Sequence, residues 1–275
     1  MKLLFTFLVT MLLYACADSK EITYVGSTPA HPHVRNFFGI SLTDSIDFIR
    51  WKLIIQDNNF TLNCEYGVCK PSTNGFLDGK KVELMGKLKK ENNHYYLPNG
   101  NKTLALFEIN TNLLHILNAD KKLLIGNGGW SYSLNNTVPR ATAQYNFTSS
   151  PTLIKDSVVL EGRTPCQQLS ALLQLHKRPE CNKMKWLLVL YLDASGQPTN
   201  YIIGSRAYKR ETTDGGKWKI VQGKDGRIIY QLEHPNNKST INLLKGDEHV
   251  LFFTDAEGNL LAGNEDFSYT LNRRK

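Results

Sequence analysis

The sequence predicts an all-β protein: two tandem eight-stranded antiparallel up-and-down barrels, with one short helix inserted in the second. Three observations lead there. First, residues 114–135 (LHILNADKKLLIGNGGWSYSLN) recur at residues 251–272 (LFFTDAEGNLLAGNEDFSYTLN), 137 positions on and without a gap. Leu114, Ala119, Leu123, Leu124, Gly126, Asn127, Ser131, Tyr132, Leu134 and Asn135 each meet an identical residue, and repetition at a fixed offset sets an architecture before local reasoning begins. Second, the apolar segments are short and bounded by turn chemistry such as Pro98-Asn99-Gly100 and Lys224-Asp225-Gly226. Third, eight such segments fall in each copy, and closing eight strands into a barrel removes exposed strand edges.

Residues 1–15 read as a lipoprotein signal peptide. Lys2 gives a positive start, and Leu3 to Leu13 is an apolar run too short for a permanent transmembrane helix. Leu13-Tyr14-Ala15-Cys16 resembles a bacterial lipobox, which makes Cys16 the first mature residue and the acylated one, palmitate included. Several acyl chains on one cysteine anchor stably where a single chain is marginal. Residues 16–35 follow as a flexible tether, because Ser27-Thr28-Pro29-Ala30-His31-Pro32-His33 is small, polar and proline-punctuated.

Barrel 1 is expected over residues 36–135, with strands near 50–55, 60–64, 81–87, 94–97, 103–108, 112–117, 122–125 and 130–134. Residues 136–157 are the linker, framed by Val138-Pro139 and Ser149-Ser150-Pro151. Barrel 2 is expected over residues 158–275, with strands near 186–192, 200–209, 217–222, 227–232, 239–244, 248–254, 259–262 and 267–271. Trp51 meets Trp186 at an offset of 135, each followed by branched apolar residues.

The copies differ ahead of those tryptophans. Gly39 stands 12 positions before Trp51, but Gly162 stands 24 before Trp186. The extra residues carry Leu169, Leu172, Leu173 and His176 at helical spacing, with Pro179 as the stop. Two readings stay open for this helix: a plug in one barrel end, or a lid over a ligand cavity. The even count of Cys64, Cys69, Cys166 and Cys181 in an exported chain suggests disulfides. Of three connectivities, pairing Cys64 with Cys69 and Cys166 with Cys181 keeps each bridge inside one module. The second bridge would pin the helix at both ends.

Around Gly162-Arg163-Thr164-Pro165-Cys166 and the strand that follows, the module resembles the small N-terminal barrel of NlpE-type outer-membrane lipoproteins. That resemblance implies tandem NlpE-like barrels at the outer membrane, with roles in envelope-stress sensing and copper resistance. The family's Pro-Cys-x-x-Cys is incomplete here, since Leu169 stands at the second cysteine position and the first module has no cysteine there. A soft-metal site needs several thiolates or imidazoles together. No metal is therefore expected, and His31, His33 and Cys166 are only weak candidates.

No catalytic constellation is visible: the chain has no G-x-S-x-G and no phosphate loop, and its carboxylates are scattered on turns. The formal charge is +8, spread over exposed-looking clusters such as 87–90 and 273–275, with no nucleic-acid motif beside them. The expectation is a non-catalytic, lipid-anchored binding or sensing protein of the envelope with no cofactor. It would hold a small hydrophobic ligand in a barrel. The alternatives are solid barrels that dock an envelope partner, or copper homeostasis.

Overall fold

The computed structural model describes residues 21–142, 144–146, 156–172, 181–207, 210–223, 226–233 and 240–274. The stretch expected to be a signal peptide, and Cys16 after it, lie outside them. The first module contains β1 (Ile22–Pro29), α1 (Pro32–Phe38), β2 (Phe48–Gln56), β3 (Asn59–Gly67), β4 (Lys80–Lys87), β5 (Lys89–Glu91), β6 (His94–Asn99), β7 (Lys102–Asn110), β8 (Leu113–Ile116) and β9 (Ser133–Asn136). The second contains β10 (Ser157–Thr164), α2 (Gln167–Leu172), β11 (Met184–Leu192), β12 (Pro198–Ala207), β13 (Arg210–Gln222), β14 (Ile228–Glu233), β15 (Thr240–Lys245), β16 (Val250–Thr254) and β17 (Thr270–Arg273).

All pairings are antiparallel. Strands β10 to β17 form a closed barrel in chain order, with β10 pairing β17. In the first module the order is β4-β3-β2-β1-β9-β8-β7-β6-β5. Only Leu88 separates β4 from β5, so these are one strand bent at a buried leucine, and the chain itself closes the barrel. Its counterpart β13 runs straight through, pairing β12 with its first part and β14 with its last.

Alternation drives the folding of these strands. β2 and β11 bury every second side chain, among them Trp51, Leu53 and Ile55 in one and Trp186, Leu188 and Leu190 in the other. The interiors are filled. In the second barrel Trp186, Tyr201, Trp218, Tyr230, Phe253 and Tyr269 share one buried cluster with leucines from seven strands or helices around them. The first barrel is packed likewise around Trp51, Phe60, Leu62, Leu97, Leu106 and Leu134.

Several expectations need correction. The tether does not extend to residue 35: Ile22–Pro29 is the first strand and pairs with both β2 and β9. Its prolines suggested a linker, but Pro29 ends the strand, where a missing N–H costs no ladder bond. Pro32 then opens α1 at its first turn, with His31 as N-cap and Gly39 in the left-handed region (φ 72°) as C-cap. The same kind of miss occurs in the second copy, where β10 begins at the linker's end. Conversely, residues 122–125 and 259–262 are not strands. Each contributes one isolated bridge, Leu117–Leu123 and Thr254–Leu260.

These corrections also remove the apparent difference between the copies. The structural partner of Gly162 is Gly26, not Gly39: Gly26 stands opposite Trp51 and Gly162 opposite Trp186. The front ends are thus nearly equal in length. The helix expected in the second module is there, and α1 is its counterpart in the first.

One device repeats in both barrels. The indole Nε1 of Trp51 donates to Thr28 Oγ1 at 2.9 Å, and that of Trp186 to Thr164 Oγ1 at 2.8 Å. Both threonines are fully buried, so each bond satisfies two polar groups that water cannot reach. The glycines opposite the indoles let the closing strand approach. A Cβ at Gly26 would lie 2.7 Å from the Ser133 carbonyl oxygen, and one at Gly162 2.5 Å from that of Thr270. Gly162→Ala is therefore expected to destabilise the second barrel by about 1–3 kcal/mol. Chemical denaturation followed by tryptophan fluorescence checks this, and an unchanged midpoint would refute the close-approach role.

Candidate functional site: the interface between the modules

The residues that repeat along the chain meet each other in space. Ser131 Oγ and Ser268 Oγ, 137 positions apart, are hydrogen-bonded at 2.5 Å. Ser133 Oγ and Thr270 Oγ1 stand at the same offset, 3.1 Å apart. The amide N–H of Gly126 donates to Asn272 Oδ1 at 2.8 Å, and that of Gly263 donates to Asn135 Oδ1 at 2.8 Å. Here residue i of one copy meets j of the other while j meets i, which is the signature of an isologous two-fold contact. The two modules are packed as the subunits of a two-fold dimer would be, within one chain.

Local sequence builds both halves alike. Asn127 Oδ1 accepts from the N–H groups of Gly129 and Trp130, and Asn264 Oδ1 from those of Asp266 and Phe267. These side-chain turns shape the loops that carry Gly126 and Gly263 to the partner module. Beside the polar pairs lies a shared apolar cluster of Ile109, Leu113, Leu244, Val250, Phe252 and Leu260, with Leu123 and Phe107 packed against it. An ion pair adds to this contact: Arg50 to Asp266 at 2.6 Å, with Asn74 Nδ2 on the other carboxylate oxygen at 2.8 Å.

A cleft of about 430 Å³ opens between the modules at one edge of this contact. Phe107, Leu123 and Ile125 form an apolar wall, with the rings of His94 and Phe107 4.9 Å apart. Lys121 and Lys122 stand exposed on the first module's side. The turn 246–249 of the second module supplies Asp247, Glu248 and His249 on the other. Burial pushes the Asp247 carboxyl above its ordinary pKa, although the N–H groups of His249 and Val250, at 2.7 and 2.9 Å, favour its charged form. The arrangement offers an apolar floor between walls of opposite charge, suited to binding.

The sites expected from sequence fare unevenly. Cys166 and Cys181 form a disulfide with Cα atoms 6.0 Å apart, closing 15 residues, a loop that gives roughly 3 kcal/mol in the chain-entropy treatment. Cys64 and Cys69 are not bonded. Cys64 points into the barrel directly across from Trp51, and its buried thiol has a pKa well above normal. Cys69 lies five residues on, beyond the strand's end, where it bridges to Phe76. Five extended residues span about 16 Å, and an odd spacing sends the side chains to opposite faces, so no bridge can close.

Leu169 is not a lid over empty space. It is fully buried in the second barrel's core, and the N–H of Gln168 reaches the Tyr269 hydroxyl at 3.3 Å, so α2 plugs the barrel end. Leu172 closes the described helix, while Leu173 and His176 lie outside the described residues. His31 serves as a helix cap, its Nδ1 accepting from the His33 N–H at 3.1 Å. Cys166, spent in the disulfide, has no thiolate for a metal. Among the described residues no three histidines, cysteines or carboxylates gather as a metal site.

The cleft itself escaped the sequence reading. His94 and His249 lie 155 residues apart in the chain, and only the fold brings them to one opening. The available signal was the identity of polar residues, Ser131 with Ser268 and Asn135 with Asn272, at positions where a solvated strand face would vary freely. Comparisons with protein families, characterised proteins and solved structures find no match.

Proposed function

We propose that this chain is a lipid-anchored, non-catalytic binding protein of the bacterial outer membrane, NlpE-like in its barrels and location, that docks an envelope partner on its surface and serves envelope-stress sensing. The observation that carries the surface reading is the filling of both barrels by their own aromatic and leucine side chains. A barrel of eight strands has room for packed side chains or for one small ligand, and here side chains take it. This favours partner docking over a hydrophobic ligand held inside a barrel. Copper handling is the weaker reading, because Cys166 is engaged with Cys181.

Two measurements test the proposal. Cys16→Ser should abolish palmitate labelling in cells and move the chain from the membrane pellet to the soluble fraction. Labelling that survives the substitution would remove the anchor from the proposal. Native mass spectrometry of protein taken from cells should give the mass of the acylated chain alone. A co-purifying hydrophobic molecule released on denaturation would restore the barrel-cavity reading.

A further inference from the structure

The pseudo-two-fold axis gives the open cleft a counterpart on the opposite edge of the interface, and the chain fills that counterpart with the described part of its own linker, Arg140 and residues 144–146. The equivalence rests on matching hydrogen bonds. The N–H of Asn112 donates to Asn110 Oδ1 at 2.9 Å as that of His249 donates to Asp247 Oδ1 at 2.7 Å. The N–H of Asn136 donates to the Asn112 carbonyl at 2.9 Å as that of Arg273 donates to the His249 carbonyl at 2.7 Å. So His249 and Gly246, which border the open cleft, stand where Asn112 and Ile109 stand on the other edge.

There, Asn112 and Ile109 hold peptide. The Asn112 amide grips the backbone of Arg140, donating to its carbonyl at 2.5 Å and accepting its N–H at 2.8 Å. The N–H of Asn146 donates to the Ile109 carbonyl at 3.0 Å, and its side chain donates to the Glu108 carbonyl at 2.8 Å. Between these points the Tyr145 ring packs against the interface cluster, with the Arg227 guanidinium 4.7 Å from its centroid. One linker can cross only one edge of a two-fold contact, so the other edge is left open.

We propose that the open cleft is a docking groove for an extended peptide segment of a partner protein, anchored by one aromatic side chain. The ring would lie on Phe107, Leu123 and Ile125, as Tyr145 lies on the opposite edge. The backbone would run along the turn at Gly246 and His249. The inference deepens the docking function proposed above and rests on it. It names where the partner binds and by what chemistry.

The linker supplies the probe. A labelled peptide of sequence RATAQYN, and versions with Phe, Trp or Ala in place of its tyrosine, are titrated onto the full chain purified in detergent, and bound regions are mapped by hydrogen–deuterium exchange. The aromatic peptides should bind with Kd below about 1 mM and the alanine version at least about tenfold more weakly, the worth of one buried ring. Protection should appear at residues 117–125 and 246–249. Ile125→Arg, which fills the cleft from a half-buried position, should abolish binding without lowering the melting temperature. If that variant melts early, Lys121→Glu replaces it as an exposed change at the same mouth, and protection by the aromatic peptides must then still map to the two segments. No binding by any aromatic peptide, equal binding by the alanine version, or protection elsewhere overturns the proposal. Membrane anchoring and capture of an envelope partner through another surface would survive that result, so failure here is distinguishable from failure of the broader function.

Discussion

Asn272→Ala is expected to loosen the contact between the modules by about 2–3 kcal/mol, and Asn135→Ala by a similar amount. Both amides are fully buried. Each accepts the backbone N–H of a glycine in the other module at 2.8 Å. Truncation removes that acceptor and leaves a buried N–H without a partner, which costs about 1–3 kcal/mol beyond the lost bond. Asn135 also donates to the Asn264 carbonyl at 3.1 Å, so its loss orphans a second group. At this size the penalty lowers the melting temperature by roughly 4–10 °C. Both substitutions loosen the same contact between the modules, so their effects should not add. Calorimetry of the single and double variants gives the coupling. Splitting of one transition into two marks modules that unfold independently, whereas single variants that melt like the parent would show the asparagines to be dispensable to the contact.

The expected magnitude explains how much of this protein could be read from its sequence. The repeat was legible because the residues that close each barrel also face the other barrel, so Gly126, Ser131 and Asn135 are constrained twice. Strand periodicity was legible wherever apolar and polar residues alternate, as from Trp51 to Ile55. It failed at β1 and β10, where Gly26, Thr28, Gly162 and Thr164 occupy interior positions. Small and hydroxylated residues stand there because the tryptophans opposite need space and a hydrogen-bond acceptor. Local patterning reads such residues as linker. It also overcounted at residues 122–125 and 259–262, where an apolar run packs into the interface cluster and does not join a ladder. The cleft was illegible for a different reason. Its walls come from separate copies, and which edge stays open depends on the path of the linker, a property of the folded chain that no spacing encodes.

Acid is expected to weaken the interface through His115, a titratable ring whose counterpart in the other module is Phe252, 5.9 Å away. Nε2 of His115 faces the Leu124 carbonyl at 2.9 Å, and a carbonyl can only accept, so Nε2 carries the proton. Nδ1 must then accept from the Ser133 hydroxyl at 3.0 Å. Ser133 in turn accepts from Thr270, which accepts from Ser268, which accepts from Ser131. A second proton on His115 would set a donor against the Ser133 hydroxyl and force this buried chain to reverse. Burial lowers the His115 pKa from 6.5 to about 4. The unfolded chain therefore takes up the proton first, and stability must fall as pH drops from about 6.5 towards 4, by about 1.4 kcal/mol per unit and about 2–3 kcal/mol in all. Above pH 6.5 the ring is neutral in both states and contributes no slope. His115→Gln keeps a donor for Leu124 and an acceptor for Ser133 but cannot titrate. Between pH 7 and 4.5 the wild-type chain should lose roughly 5–8 °C more in melting temperature than the glutamine variant, with carboxylate effects common to both cancelling. Parallel losses in the two proteins would place the acid sensitivity elsewhere.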